Sequence, residues 1–273
     1  MRRKRMFRRT VWSLLCLGLL LMALPGRFAY SQSAPRDQAE AWNWIQKTWL
    51  KTAKKKDVSD LKMENGVISG ETKNGGTFRI VLALTNSVTR VRQRVTATYS
   101  SYTVQWYEFP NVSSSIGAIQ WHSFNRYRSD DAQTVQAALT YLAHAAQEEQ
   151  AAKDAADLES FQPKAEAWRQ LAAKPAMPEE AQRHQVLAEY AFKNKDVPKA
   201  ITEYDAALKI FPCWPDGQSN LANLAAEVGT RPGYNMAIYH MKLYLALVPN
   251  APDAKAAQDS IFIWEDKRTT ATP

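Results

Sequence analysis

The stretch Lys193–Pro212, KNKDVPKAITEYDAALKIFP, decides how the rest of the chain reads. Asp196 is placed to cap a helix. Pro198 fits a first turn, where the amide has no intrahelical partner to lose. Ala200, Ile201, Tyr204, Ala207 and Leu208 then recur at helical spacing on one face. Pro212 ends the run. Upstream, a helix is expected to begin after Pro178, with Glu179 and Glu180 at its positive end. Val186, Leu187, Tyr190 and Ala191 form its expected apolar stripe.

The layout then repeats. Leu221, Leu224, Ala225 and Val228 share one helix face, a break follows over 229–233, and Ala237, Ile238, Met241, Tyr244 and Leu245 line the next helix up to Pro249. Leu187, Ala188, Ala200, Tyr204, Ala207 and Pro212 fall in register with the tetratricopeptide repeat pattern, a ~34-residue helical pair. Leu221, Ala222, Gly229, Ala237 and Pro249 do so in the second copy. The segment 179–268 therefore resembles that family. His184, Ala191, Met241 and Tyr244 depart from the pattern, and the turn TRPGYNM carries about three extra residues. The alternative is an unrelated bundle of amphipathic helices. Such repeats need neighbours to bury their faces, so a closing helix with Ala254, Ala257, Ile261 and Trp264 is expected over the second repeat. Ala165–Leu171, with Trp168, is expected to cover the first.

Charge is unevenly spread. Seven of the 35 basic residues lie in the first 31 positions, where there is no acidic residue, which leaves 28 basic against 27 acidic beyond. A near-neutral remainder argues against nucleic acid as a partner. The basic head 2–9, the apolar run Val11–Leu24 and the small-residue site Ala29-Tyr30-Ser31 read as a secretory signal peptide over 1–31. The run is short for a membrane span, which needs ~20 residues. An exported protein, periplasmic or extracellular, with no stable span after cleavage is expected; an uncleaved N-terminal anchor is the alternative. Once Cys16 is removed with the leader, Cys213 has no intramolecular disulfide partner.

Positions 32–150 read as an α+β domain. A first helix spans Asp37–Lys56, with Asp37 and Glu40 as a capping box and Trp42, Ile45 and Trp49 as its apolar face. From Val67 the period changes to two. Thr77–Thr85, Val88–Thr98, Tyr99–Phe109 and Ile116–Phe124 are strand candidates, with Asn65-Gly66 and Asn74-Gly75 as hairpin turns. A long helix follows Asp130–Asp131, with Val135, Leu139, Leu142 and Ala146 on one face. A meander closed by a helix resembles the pleckstrin-homology layout in topology. No lipid pocket is implied, because Arg79, Arg90, Arg92 and Arg94 read as solvated strand positions. Gln147–Gln162 reads as the frayed end of the long helix and a linker, and the helical linker is placed over 151–178. Positions 269–273 read as a disordered tail.

No metal, nucleophile or phosphate-binding motif stands out. His144 and Glu148, at i and i+4, could share one face toward a metal, but a zinc site needs three or four ligands. Asn111-Val112-Ser113 matches a glycosylation sequon. No cofactor is expected. The tetratricopeptide resemblance implies a non-enzymatic scaffold that binds a protein or peptide on a concave face. The inward positions of that face fall on Gln182, Gln185, Glu189 and Phe192, then Asp216, Ser219, Asn223 and Ala226. The competing reading is an envelope hydrolase or metal enzyme with its site near Trp106, Trp121 and His122.

Overall fold

The structure, a computed structural model, describes residues 34–52, 58–72, 77–94, 100–111, 117–123 and 128–271, some of them as backbone alone. The expected leader, Asn74-Gly75, Lys54–Lys56 and the side chains of Trp49, Arg90, Arg92, Arg94, Trp121 and His122 lie outside the described residues, as does most of the sequon. Residues Ala34–Pro273 form one compact unit.

Its architecture is mixed, with small antiparallel sheets followed by a helical C-terminal region. Helix α1, Gln38–Thr52, opens the described chain. Asp37 caps it by accepting the Glu40 amide at 2.7 Å, and Glu40 in turn accepts the Arg36 amide at 2.7 Å. Strands β1 (Val58–Glu64), β2 (Val67–Thr72) and β3 (Thr77–Val81) form one antiparallel meander. Asn65 and Gly66 join β1 to β2 with φ of 50° and 72°, the left-handed pair that a two-residue hairpin turn demands. The β1 strand lies before Val67, where the alternating pattern starts. A second meander contains β4 (Thr85–Arg94), β5 (Ser100–Glu108) and β6 (Gly117–Ser123).

The expected single strand over Thr77–Thr85 is instead broken by a 3-10 turn at Leu82–Leu84. That turn passes the chain from one sheet to the other. It also explains why Leu82 is buried while Leu84, assigned to the same face, is exposed. Both sheets contribute to one core: Leu61, Ile68, Ile80, Val88, Val104 and Trp106 pack with Ala41 and Ile45 of α1.

The far side of that core is α2, Arg128–Gln170, a helix of 43 residues. Fraying was expected from Gln147; the helix instead runs on to Gln170, with Pro163 inside it. Two different surfaces support it. Ala132, Val135, Ala138, Leu139 and Leu142 face the sheets and α1, while Gln136 and Gln147 donate to the Val88 and Thr85 carbonyls at 2.9 and 2.7 Å. Phe161 and Ala165 face Leu243, Ala246 and Leu247 further along the chain. Lys174 closes the helix end, donating to the Arg169 and Leu171 carbonyls at 3.2 and 3.0 Å.

Five helices follow: α3 (Glu179–Lys193), α4 (Val197–Ile210), α5 (Pro215–Glu227), α6 (Arg231–Leu247) and α7 (Ala254–Thr270). They pack in chain order, α3 on α4, α4 on α5, α5 on α6 and α6 on α7. Asp196 caps α4 by accepting the Lys199 amide at 3.2 Å. Gly229, with φ of 72°, ends α5 in the left-handed conformation. Thr230 caps α6 through the Gly233 amide at 3.3 Å, so Gly233 belongs to the first turn of α6 and not to the break. All five residues assigned to the apolar face of α4 are buried. Leu221, Leu224 and Ala225 of α5, and Ala237, Ile238, Met241 and Tyr244 of α6, join the same core, which Ala257, Ile261 and Trp264 of α7 close.

Helix α3 differs from expectation. Its buried residues are Ala181, Ala188 and Ala191, whereas Val186 and Tyr190 are 59% and 63% exposed. Small side chains let α4 approach closely, and the larger apolar groups are left outside. The segment around Trp168 does not cover them. Trp168 meets Phe211 edge to face at 5.7 Å and packs with the Leu243–Leu247 cluster of α6.

Candidate functional site

Two helices carry the expected binding face. On α3, Gln182 and Phe192 are exposed, Phe192 at 52%, and Gln185 and Glu189 are half-buried. The Gln185 amide donates to Glu189 Oε1 at 2.9 Å, which orients that carboxylate along the helix. On α5, Asp216 and Asn223 are exposed and Ser219 is half-buried, its hydroxyl donating to the Asp216 carbonyl at 3.2 Å.

Tyr204 of α4 stands between the two sets. Its hydroxyl accepts the Asn220 amide of α5 at 3.3 Å. Burial raises its pKa above the usual 10; the Asn220 bond opposes that shift and the nearby Glu189 carboxylate adds to it. Glu189 therefore acts within reach of the α4–α5 junction. At the other end, Tyr244 donates to Asp253 at 2.5 Å. Burial, that bond and the charges of Asp253 and Asp216 push its pKa up to about 12. Asp216 thus shares its surroundings with a second carboxylate at the start of α7. The exposed groups add up to hydrogen-bonding amides, two carboxylate-bearing ends and one aromatic ring. None of them is a nucleophile poised beside a base.

Sequence reasoning did not find the contact that links the sheets to this region. Phe109, at the end of β5, is buried in the core of the helical hairpins. Its amide donates to the Leu84 carbonyl at 2.7 Å, and its ring lies against Gly233 in the first turn of α6. An aromatic residue closing an alternating strand carries no mark of docking elsewhere. Trp106, offered as part of an enzymatic site, is buried in the sheet core. Glu108, half-buried beside it in sequence, accepts the Val81 amide at 2.8 Å; burial raises its pKa above 4.5, while that bond and Arg79 work the other way.

The His144–Glu148 pair is differently engaged. Glu148 pairs with Arg231 of α6. Burial lowers the His144 pKa, Arg231 lowers it further and Glu148 partly offsets both. A guanidinium at that point disfavours a cation. Among the described residues no group of three or more His, Cys, Asp or Glu side chains is arranged to hold a metal ion, and no helix is long and apolar enough to cross a membrane. Cys213 is a half-buried free thiol, its pKa raised by burial and lowered by Lys164.

Compared with protein-family models, curated proteins and solved structures, the chain matches none.

Proposed function

We propose that this chain is an exported, non-enzymatic adaptor of the tetratricopeptide type. It holds a protein or peptide segment against the face carrying Gln182, Gln185, Glu189, Phe192, Asp216, Ser219 and Asn223. The observation that carries the reading is the tandem order of α3–α4 and α5–α6. Two consecutive helical hairpins bury Ala188, Ala200, Tyr204, Ala207, Leu221, Ala222 and Ala237 of the repeat pattern, while the seven residues above remain exposed or half-exposed. The pleckstrin-homology likeness of the strand region stays part of this proposal and contributes no ligand to it.

Chemistry sets the partner class. Glu189 and Asp216 favour basic groups, the amides read backbone or polar side chains, and Phe192 offers an apolar anchor. Two hairpins give a short groove, so affinity is modest unless two copies act together. A photo-crosslinking amino acid placed at Phe192, in the cell that makes the protein, should capture a defined partner. Phe192→Ala with Glu189→Lys should abolish that interaction while the far-ultraviolet circular dichroism stays unchanged. Retention of the partner by the double variant removes this face from the reading.

A further inference from the structure

Helix α3 presents a second, different stripe to solvent. Glu179, Arg183, Val186, Tyr190 and Lys193 recur at intervals of four and three residues, and all five are exposed. This is the spacing of a helix face that pairs with another helix. Of the residues 34 positions further on in α5, Gly217 and Leu224, the counterparts of Arg183 and Tyr190, are buried, while Asn220 and Glu227, the counterparts of Val186 and Lys193, are exposed. The first hairpin has no preceding hairpin among the described residues, and Trp168 packs on α6 and on Phe211 at the end of α4.

We propose that this stripe pairs with the same stripe of a second copy, antiparallel, about a two-fold axis passing through Val186. The order of charges selects this partner and this register. Val186 is the midpoint of the 15-residue helix. Glu179 and Lys193 each lie seven residues from it, so an antiparallel copy brings each glutamate level with the other chain's lysine, about 10 Å on either side of the axis. Arg183 and Tyr190 lie three and four residues away on opposite sides, so they meet within about 1.5 Å of the same height. A guanidinium over a tyrosine ring is a favourable contact. Glu179, Gln182, Arg183, Val186 and Leu187 line a shallow apolar depression at the height the opposing Tyr190 ring reaches. Sliding the pair so that Val186 meets Tyr190 sets Arg183 against Lys193, which repels. The contact is self-complementary, as a two-fold interface must be.

One helix against one helix falls below the ~1,200 Å² of a stable complex, so the dimer is weak and concentration-dependent. The pairing depends only on α3 and goes beyond the adaptor reading; failure of either leaves the other standing.

Sedimentation equilibrium on the full chain up to high-micromolar concentration should show a monomer–dimer equilibrium. Lys193→Glu and Glu179→Lys should each weaken it at least tenfold, and the double exchange should restore it. Circular dichroism reports whether either single variant disturbs the helix itself. With Cys16→Ser and Cys213→Ala as background, Val186→Cys on the axis should form an intermolecular disulfide far faster than Phe262→Cys on α7. The proposal is overturned if the protein stays monomeric throughout, if charge reversal leaves self-association intact, if Val186→Cys crosslinks no faster than Phe262→Cys, or if the stripe captures a different protein instead.

Discussion

His240 Nδ1 and Gln218 Oε1 are 2.7 Å apart inside the second helical hairpin. Gln218 commits its amide nitrogen to the Pro212 carbonyl at 2.8 Å, so its oxygen faces the ring and Nδ1 carries the proton. The pair joins the proline stop of α4 to the middle of α6, and both side chains are buried. Burial lowers the His240 pKa to about 4, against the small opposing effect of Asp205.

That shift sets a pH dependence. The folded state holds a neutral imidazole, whereas the unfolded chain takes up a proton below ~6.5. The stabilisation is therefore complete above that value and is lost as pH falls from about 6.5 to about 4, amounting to roughly 3 kcal/mol. Urea denaturation at pH 7 and at pH 4.5 should show this loss, and His240→Gln should show a markedly smaller difference between the two conditions.

Gly233 has no room for a side chain. A Cβ would stand 2.6 Å from the Ala225 carbonyl oxygen and 3.3 Å from Phe109 Cε2. Gly233→Ala should cost about 2 kcal/mol through overpacking, read as a fall in melting temperature. Phe109→Ala, which empties the same place from the other side, should cost about 3–5 kcal/mol. Hydrogen exchange of the amides from Ala225 to Gly233 should accelerate in it.

Arg231 and His144 are coupled across α2 and α6. Arg231→Gln removes one of the influences that lower the His144 pKa, so an NMR titration should find that pKa raised in the variant. Glu148→Gln should move it the opposite way. Equal values in both variants would exclude the coupling.

The turn between α3 and α4 offers two changes of opposite sign. Lys195 adopts φ of 60°, a conformation that costs a non-glycine residue; Lys195→Gly should stabilise by about 0.5–1 kcal/mol. Asp196→Ala next to it removes the cap on the Lys199 amide and should destabilise by about 1 kcal/mol. Thermal melts of the two variants should bracket that of the parent.

Legibility from sequence followed the strength of the local signal. Proline stops, the Asp196 cap and the spacing from Ala200 to Leu208 announce α4, because there the apolar face and the buried face coincide. In α3 they do not. Alanines make the close contact with α4, so of the expected stripe Ala191 is buried and Leu187 half-buried, while the larger Val186 and Tyr190 lie outside. Asn65-Gly66 marked its hairpin through backbone chemistry alone. The 3-10 turn at Leu82–Leu84 carries no such mark, since alternation of apolar residues runs straight through it. Phe109 and the length of α2 were hidden for another reason: both are settled by surfaces distant in sequence. Of the proposed face, exposure was not legible in the sequence, as the half-buried Glu189 and Ser219 illustrate.

Helix α2 is roughly 65 Å long, at 1.5 Å per residue. One stretch of it serves as the floor of the strand region and the next as a wall of the second hairpin. Expressed separately, either portion would bare a strip of greasy side chains that the missing portion normally shields. Truncations placed anywhere along that rod should yield aggregating fragments, because the strand region and the second hairpin lean on the same helix.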